Sequence, residues 1–153
     1  MTPDQQRRYA RHITLPEIGE VGQQKLLKSK VVVIGAGGLG ASCFMSLAAS
    51  GVGNLTIIEP DHVELSNLPR QTLYETADIG RAKAEAARDR LNEMNPDINI
   101  ITYQERLDKN NAVELLKNYD VVVDGTDNFA SRYVINDACM KLHTPWVHAA
   151  MLG

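Results

Sequence analysis

The residues best equipped for chemistry start with a cluster of glycines. Gly35, Gly37, Gly38 and Gly40 follow directly on the run Val31-Val32-Val33-Ile34, a strand that delivers the chain to a turn where side chains would obstruct a phosphate. A helix that starts there offers free backbone N–H groups to an anion. Roughly 20 residues beyond the last glycine, Glu59 ends a second apolar run, Asn54-Leu55-Thr56-Ile57-Ile58, where a carboxylate can accept hydrogen bonds from ribose hydroxyls. A lone glycine pattern is weak evidence. Strand, glycines, helix, strand and acid in that order point to a nucleotide-binding βαβ unit.

Such a unit needs a scaffold, and the 153 residues supply about one domain's worth of chain. Apolar runs bounded by turn or charged residues predict strands over 31–34, 54–59, 98–103, 120–124 and 145–149. Helices fill the gaps, over 38–50, 80–94, 110–118 and 128–142. Thr2-Pro3-Asp4-Gln5 reads as a capping box with proline in the first turn, starting a helix that runs toward Arg11. The expected fold is α/β: a Rossmann-like, doubly wound, mainly parallel sheet with helices on both faces. It makes a single domain, with an N-terminal helical segment over 1–28 and the core over 29–153. Between Leu39 and Ser50 no residue is charged, so that helix needs cover on a second face, from the N-terminal segment or from a second subunit.

Composition excludes other classes. A net charge of −3 and a pI near 5.8 argue against holding nucleic acid by bulk charge. Cys43 and Cys139 stand singly without CxxC spacing and read as small buried hydrophobes. The uncharged stretch over 31–58 is interrupted by glycines, so no membrane span is expected; with no signal-peptide pattern at the start, the default location is cytoplasmic. His12, His62, His143 and His148 form no triad spacing with a nucleophile and receive no role. Asp124, at a strand end, is left open.

The loop after Glu59 separates this chain from an ordinary dinucleotide enzyme. Six ordered motifs cover nearly its whole length: Arg8-Tyr9-Ala10-Arg11-His12-Ile13, Gly35-Ala36-Gly37-Gly38-Leu39-Gly40, Gly51-Val52-Gly53-Asn54-Leu55, Leu65-Ser66-Asn67-Leu68-Pro69-Arg70-Gln71, Gly80-Arg81-Ala82-Lys83 and Asp124-Gly125-Thr126-Asp127-Asn128. With them the segment from Arg8 to Gly153 resembles the amino-terminal part of the ThiF/MoeB/HesA adenylyltransferases, bacterial relatives of ubiquitin-activating enzymes. The resemblance implies that ATP and Mg²⁺ activate the C-terminal carboxylate of a ubiquitin-like sulfur-carrier protein as an acyl-adenylate, in thiamin, molybdopterin or related sulfur-transfer biosynthesis. It also implies a homodimer, and no nucleic-acid or membrane partner.

Carried over by the resemblance, the glycines Gly35, Gly37, Gly38 and Gly40 would lie by the nucleotide and Glu59 would hold the ribose, with Asp61 beside it. Family members commonly place aspartate at the position of Glu59. Ser66 would belong to the nucleotide site, Asn67 and Arg70 would meet the phosphates, Lys83 would neutralise them, and Asp127 would hold Mg²⁺ with Asn128 at its side. Arg11 matches an arginine that reaches the ATP of a neighbouring subunit. The residues themselves add two points. At about 100° per residue Ala84, Ala87, Leu91 and Met94 form an apolar stripe, and Lys83 lies nearer its centre than any other charge on that helix. Asp127 precedes a predicted helix, so an N-cap role competes with metal binding, and the two can coexist.

Family members continue well past this chain's last residue with a carrier-binding surface and CxxC pairs that hold structural zinc. The expectation is therefore a piece of an adenylyltransferase or a shortened paralogue, whose apolar run Trp146-Val147-His148-Ala149-Ala150-Met151 would leave a bare sheet edge. Two other readings stay open: a noncatalytic nucleotide-binding or dimerisation module, and an NAD-dependent oxidoreductase, whose fingerprint Gly35, Gly37, Gly40 and Glu59 also satisfy.

Overall fold

Strand β1 (Lys30–Ile34) is buried from Val31 onward, as a β-branched run without polar alternation requires. In the computed structural model, which describes residues 1–149, this strand is the middle of a five-stranded sheet. Its neighbours are β2 (Asn54–Ile58) and β4 (Val121–Asp124); β3 (Asn99–Tyr103) lies outside β2, and β5 (Trp146–His148) outside β4. All four pairings are parallel. The run expected to reach Met151 passes beyond the described residues.

Successive residues of β1 point to opposite faces. Val31 and Val33 pack with Leu55 and Ile57 against α4 (Gly38–Ser50) and α5 (Lys83–Met94). Val32 and Ile34 pack with Ile58 and Val122 against α6 (Ala112–Leu116) and α7 (Phe129–Leu142). The doubly wound α/β architecture expected from the alternating elements is therefore the one observed.

The N-terminal segment departs from expectation. The capping box of α1 (Pro3–Arg8) forms, with Gln5 N donating to Thr2 Oγ1 at 3.2 Å and Thr2 N donating to Gln5 Oε1 at 3.0 Å. The helix stops before Arg11, because Tyr9 sits at φ −100°, ψ 14° with its ring buried and its hydroxyl accepting from Asn95 Nδ2 at 2.9 Å. Arg11 lies instead on α2 (Ala10–Ile13). A further helix, α3 (Gly19–Lys28), has no clear sequence signal: it contains two glycines and fully buries only Gln23. Gln23 donates to Ser50 O at 2.9 Å and accepts from His12 Nδ1 at 2.9 Å, so the N-terminal segment covers the C-terminal end of α4. Along the rest of its outer face Ser42, Ser46 and Ala49 are exposed.

Helix α5 starts at Lys83 rather than residue 80, because Gly80 is left-handed (φ +87°) and the next two residues pair with the strap that follows β2. Ala84, Ala87 and Leu91 are buried as the stripe predicts, but Met94 is 38% exposed at the helix end. Helix α6 is shorter than 110–118: Asp108 Oδ1 accepts from Asn110 N and Asn111 N before it, and Asn118 turns left-handed (φ 69°) after it. Among the described residues no helix is long and apolar enough to cross a membrane.

Candidate functional site

The C-terminal ends of β1, β2 and β4 open on one cleft of about 970 Å³, where doubly wound sheets bind ligands. The glycine turn forms its floor. Gly35 takes φ +89° and donates to Ile58 O at 3.0 Å. A Cβ on Gly40 would lie 1.9 Å from Gly35 O; Gly40 stands behind the turn, letting α4 approach β1, and is not part of the cleft wall. Among the described residues no side chain caps α4, so its first-turn N–H groups stay open to a ligand. Gly37, Gly38 and Leu39 face the cleft.

Glu59 is 5% exposed and fully engaged with backbone: Oε2 accepts from Ala36 N at 2.7 Å and Oε1 from Asp61 N at 2.9 Å. Ala36 O in turn accepts from Tyr74 Oη at 2.8 Å. Burial, with the nearby Glu59 charge, drives the Tyr74 phenol well above its ordinary ionisation range, so it stays a donor. The acid and the tyrosine thus clamp the turn. Each Glu59 oxygen, accepting one backbone N–H, keeps a further lone pair able to accept a hydrogen bond.

One wall is a 3₁₀ turn, Leu65–Asn67. Asn67 is buried, and its Oδ1 accepts from Glu64 N at 3.1 Å, while its Nδ2 donors have no partner among the described residues. Arg70 is exposed at the cleft, its Nη1 donating to Ser66 O at 2.8 Å. Ser66 itself lies off the cleft wall, where its carbonyl steadies Arg70.

The opposite wall is held by a strap. Val63 N donates to Arg81 O at 2.9 Å, Gly80 N to Val63 O at 2.8 Å, and Lys83 N to Asp61 O at 2.9 Å. Arg81 bridges Asp78 and Asp89 at 2.7 and 2.5 Å and holds the Asp89 carboxyl below the usual carboxylate range. The strap brings Lys83, only 7% exposed, into the cleft wall beside Asp61. Among the described residues Lys83 forms no ion pair.

The third wall follows β4. Asp124 is buried; Oδ1 accepts from Thr126 N at 2.9 Å and Thr126 Oγ1 at 2.7 Å, and Oδ2 is paired with His148 Nδ1 at 2.9 Å. It anchors the loop that displays Asp127. The helix cap falls on Asn128, whose Oδ1 accepts from Ser131 N at 2.9 Å. The competing cap role for Asp127 is thereby corrected, because Asn128 stands three residues before the amide in need. Asp127 stays exposed at the cleft, and among the described residues its carboxylate accepts one hydrogen bond, from Asn128 Nδ2 at 3.5 Å.

Gly35, Gly37, Gly38, Glu59, Asp61, Asn67, Arg70, Lys83, Asp127 and Asn128 therefore converge on one cleft, while Gly40, Ser66 and Arg11 lie off its wall. Arg11 is exposed on α2. His62, Arg106 and Gln71 join the cleft without having been singled out in the sequence. Arg106 and His62 carry no local signal, since only sheet topology brings the loops after β2 and β3 together. Gln71 directly follows Arg70, and the motif was its signal.

The donor set fits both expected groups. Five acids, Glu59, Asp61, Glu64, Glu105 and Asp127, outnumber the cations Arg70, Lys83 and Arg106, so a triphosphate would enter most favourably with a divalent cation. Among the described residues no three His, Cys, Asp or Glu side chains form a metal cage. Mg²⁺ needs none where a single carboxylate shares it with substrate phosphates, and the Asp61 and Asp127 carboxylates are both lightly engaged, Asp127 meeting only a 3.5 Å contact from Asn128 Nδ2 among the described residues. The cysteines are free, Cys139 buried as expected and Cys43 only half-buried, and burial pushes the Cys139 thiol up to about 11, with Asp124 adding to the effect.

The chain belongs to the ThiF family, which matches residues 9–153. It is 49% identical over 140 residues to the probable adenylyltransferase/sulfurtransferase MoeZ of Mycobacterium tuberculosis, covering 92% of this chain and 36% of that protein. It is 46% identical over 150 residues to the sulfur carrier protein adenylyltransferase of Thermus thermophilus, covering 98% and 55%. Among solved structures, E. coli tRNA N6-threonylcarbamoyladenosine dehydratase, TcdA, in complex with ATP superposes with a TM-score of 0.93 at 25% identity, covering 99% of this chain and 62% of that one. The chain spans between about a third and a little over half the length of these two curated relatives.

Proposed function

We propose that the cleft binds ATP with Mg²⁺ and that the chain is the adenylating part of an enzyme that activates the C-terminal carboxylate of a ubiquitin-like sulfur-carrier protein. The observation that carries this reading is the meeting of Arg70, Asn67, Lys83 and Asp127 around the glycine turn, with Lys83 largely buried and in no ion pair among the described residues. A hydride-transfer enzyme has no use for such a set beyond the pyrophosphate. The names of the Mycobacterium and Thermus relatives and the ATP complex of TcdA support the same substrate.

The chemistry joins a carboxylate oxygen to the α-phosphorus and breaks its bond to pyrophosphate. A carboxylate is already anionic near neutral pH, so the site needs no general base. It must align two anions and neutralise charge. Glu59 holds the ribose from the floor, and the α4 N-terminus faces the phosphates. Asn67 donates, Arg70 and Lys83 neutralise, and Asp61 shapes the wall over Lys83. Asp127 would hold Mg²⁺, which when bound screens the phosphate oxygens. Arg11, off its own cleft, would complete the site of a second copy in a homodimer.

Carrier-dependent exchange of labelled pyrophosphate into ATP tests the proposal. Exchange is expected with a carrier ending in a free carboxylate and absent when that terminus is amidated. ATP binding without any exchange would leave a noncatalytic nucleotide module, and equal stabilisation by NAD would favour a dinucleotide enzyme.

A further inference from the structure

The turn that carries Asn67 and Arg70 ends in a side chain with no structural employment. Gln71 N donates to Asn67 O at 3.0 Å, and Gln71 O accepts from Tyr74 N at 3.2 Å, so its backbone is fixed. Its side chain is 4% exposed and reaches the cleft wall. Oε1 is buried with no hydrogen-bond partner, and Nε2 donates to nothing among the described residues. A buried amide left unpaired destabilises a fold. A methionine of similar shape would fill the space without that penalty.

We propose that Gln71 is a ligand to the α-phosphate, donating from Nε2 to a non-bridging oxygen of the phosphate under attack. Nε2 lies 3.7 Å from the point a Cβ would occupy on Gly37, the N-cap of α4. Glu59, expected to hold the ribose, bonds to Ala36 N one residue before that glycine. The phosphate attached directly to the ribose is therefore the one that comes within reach of Gln71. A neutral donor suits this position: it stabilises charge gathering on the α-phosphate oxygens without repelling or capturing the incoming carboxylate. Gln71 thereby complements Arg70 and Lys83, whose full charges serve the departing pyrophosphate. The inference rests on the nucleotide reading of the cleft.

The test compares adenosine, AMP and MgATP binding to the wild-type chain and to Gln71→Met by titration calorimetry, with thermal unfolding of each unliganded protein. The variant is expected to melt at or above the wild-type temperature and to bind adenosine within about twofold. AMP and MgATP should bind about 10- to 100-fold more weakly, the size expected for one hydrogen bond to a charged group. Unchanged AMP affinity in Gln71→Met overturns the inference, as does a lower melting temperature with equal loss of all three ligands. If the variant does not fold, the wild-type side-chain amide resonances of Gln71 decide: AMP should shift them beyond the change adenosine causes, and identical shifts refute the contact. Failure of the wild-type chain to bind any of the three would instead remove the nucleotide reading, and this proposal with it.

Discussion

Replacing Glu59 by glutamine probes the clamp on the glycine turn directly. In the native chain each carboxylate oxygen accepts one backbone N–H, from Ala36 and from Asp61. Glutamine has one acceptor oxygen and presents an NH₂ group where the second stood. Ala36 is fully buried and its amide has no access to water, whereas Asp61 lies at the open cleft wall. The remaining oxygen is therefore expected to stay on Ala36, and the Asp61 amide to turn to solvent. The loss is about 1.5–3 kcal/mol, the range for a hydrogen bond to a charged acceptor. In a domain of this size each kcal/mol moves the melting temperature by about 2–4 °C, so Glu59→Gln should melt about 3–12 °C below wild type in a thermal scan followed by circular dichroism. Glu59→Asp should also lose stability, because a side chain shorter by one methylene does not span both amides. A Glu59→Gln variant melting within about 1 °C of wild type would refute the clamp.

Other perturbations separate structural roles from ligand roles. Asp127→Asn should leave the melting temperature within about 1 °C of wild type, since the cap lies elsewhere, while removing the extra stabilisation that Mg²⁺ gives to ATP; a large drop in the unliganded protein would return the cap to Asp127. Asn128→Ala should lower the melting temperature by about 2–4 °C, for a lost cap of about 1 kcal/mol. Lys83→Met should keep or raise the stability of the free protein while weakening ATP about 10- to 100-fold, and loss of folding would show that its burial serves the core instead. Cys139 should resist iodoacetamide at pH 8 in the native chain and react on unfolding, because it is buried and burial holds its thiol near 11, while half-buried Cys43, whose thiol burial also pushes up, should label more slowly in the native chain than after unfolding; rapid labelling of Cys139 in the native state contradicts the packing.

Much of the architecture was legible because its signals are local. The run Val31-Val32-Val33-Ile34 reads as a doubly buried strand, and the glycines that follow it allow one reading of the turn. Helix α4 was expected over 38–50 and spans Gly38–Ser50. What escaped depends on partners distant in the chain. Tyr9 ends α1 because Asn95 and the end of α4 receive its side chain, and no neighbouring residue announces that. Helix α5 starts three residues later than the sequence predicts because Ala82 is taken by a bridge to His62, which only the folded strap makes visible. Two adjacent residues, Asp127 and Asn128, can each cap a helix; spacing to Ser131 N chose the second and released the first into the cleft. The sequence predicts Glu59 at the end of β2 by the glycine turn, where it is found, but its grip on Ala36 is a tertiary contact, as are the placements of Arg106 and His62.

A crystal structure of the chain grown with ATP and Mg²⁺ tests the central claim most directly. The account predicts the triphosphate beside the glycine turn, with Arg70, Lys83 and Asn67 on its oxygens and the metal on Asp127. A nucleotide bound with its phosphates pointing away from Lys83, or lodged outside this cleft, would contradict it.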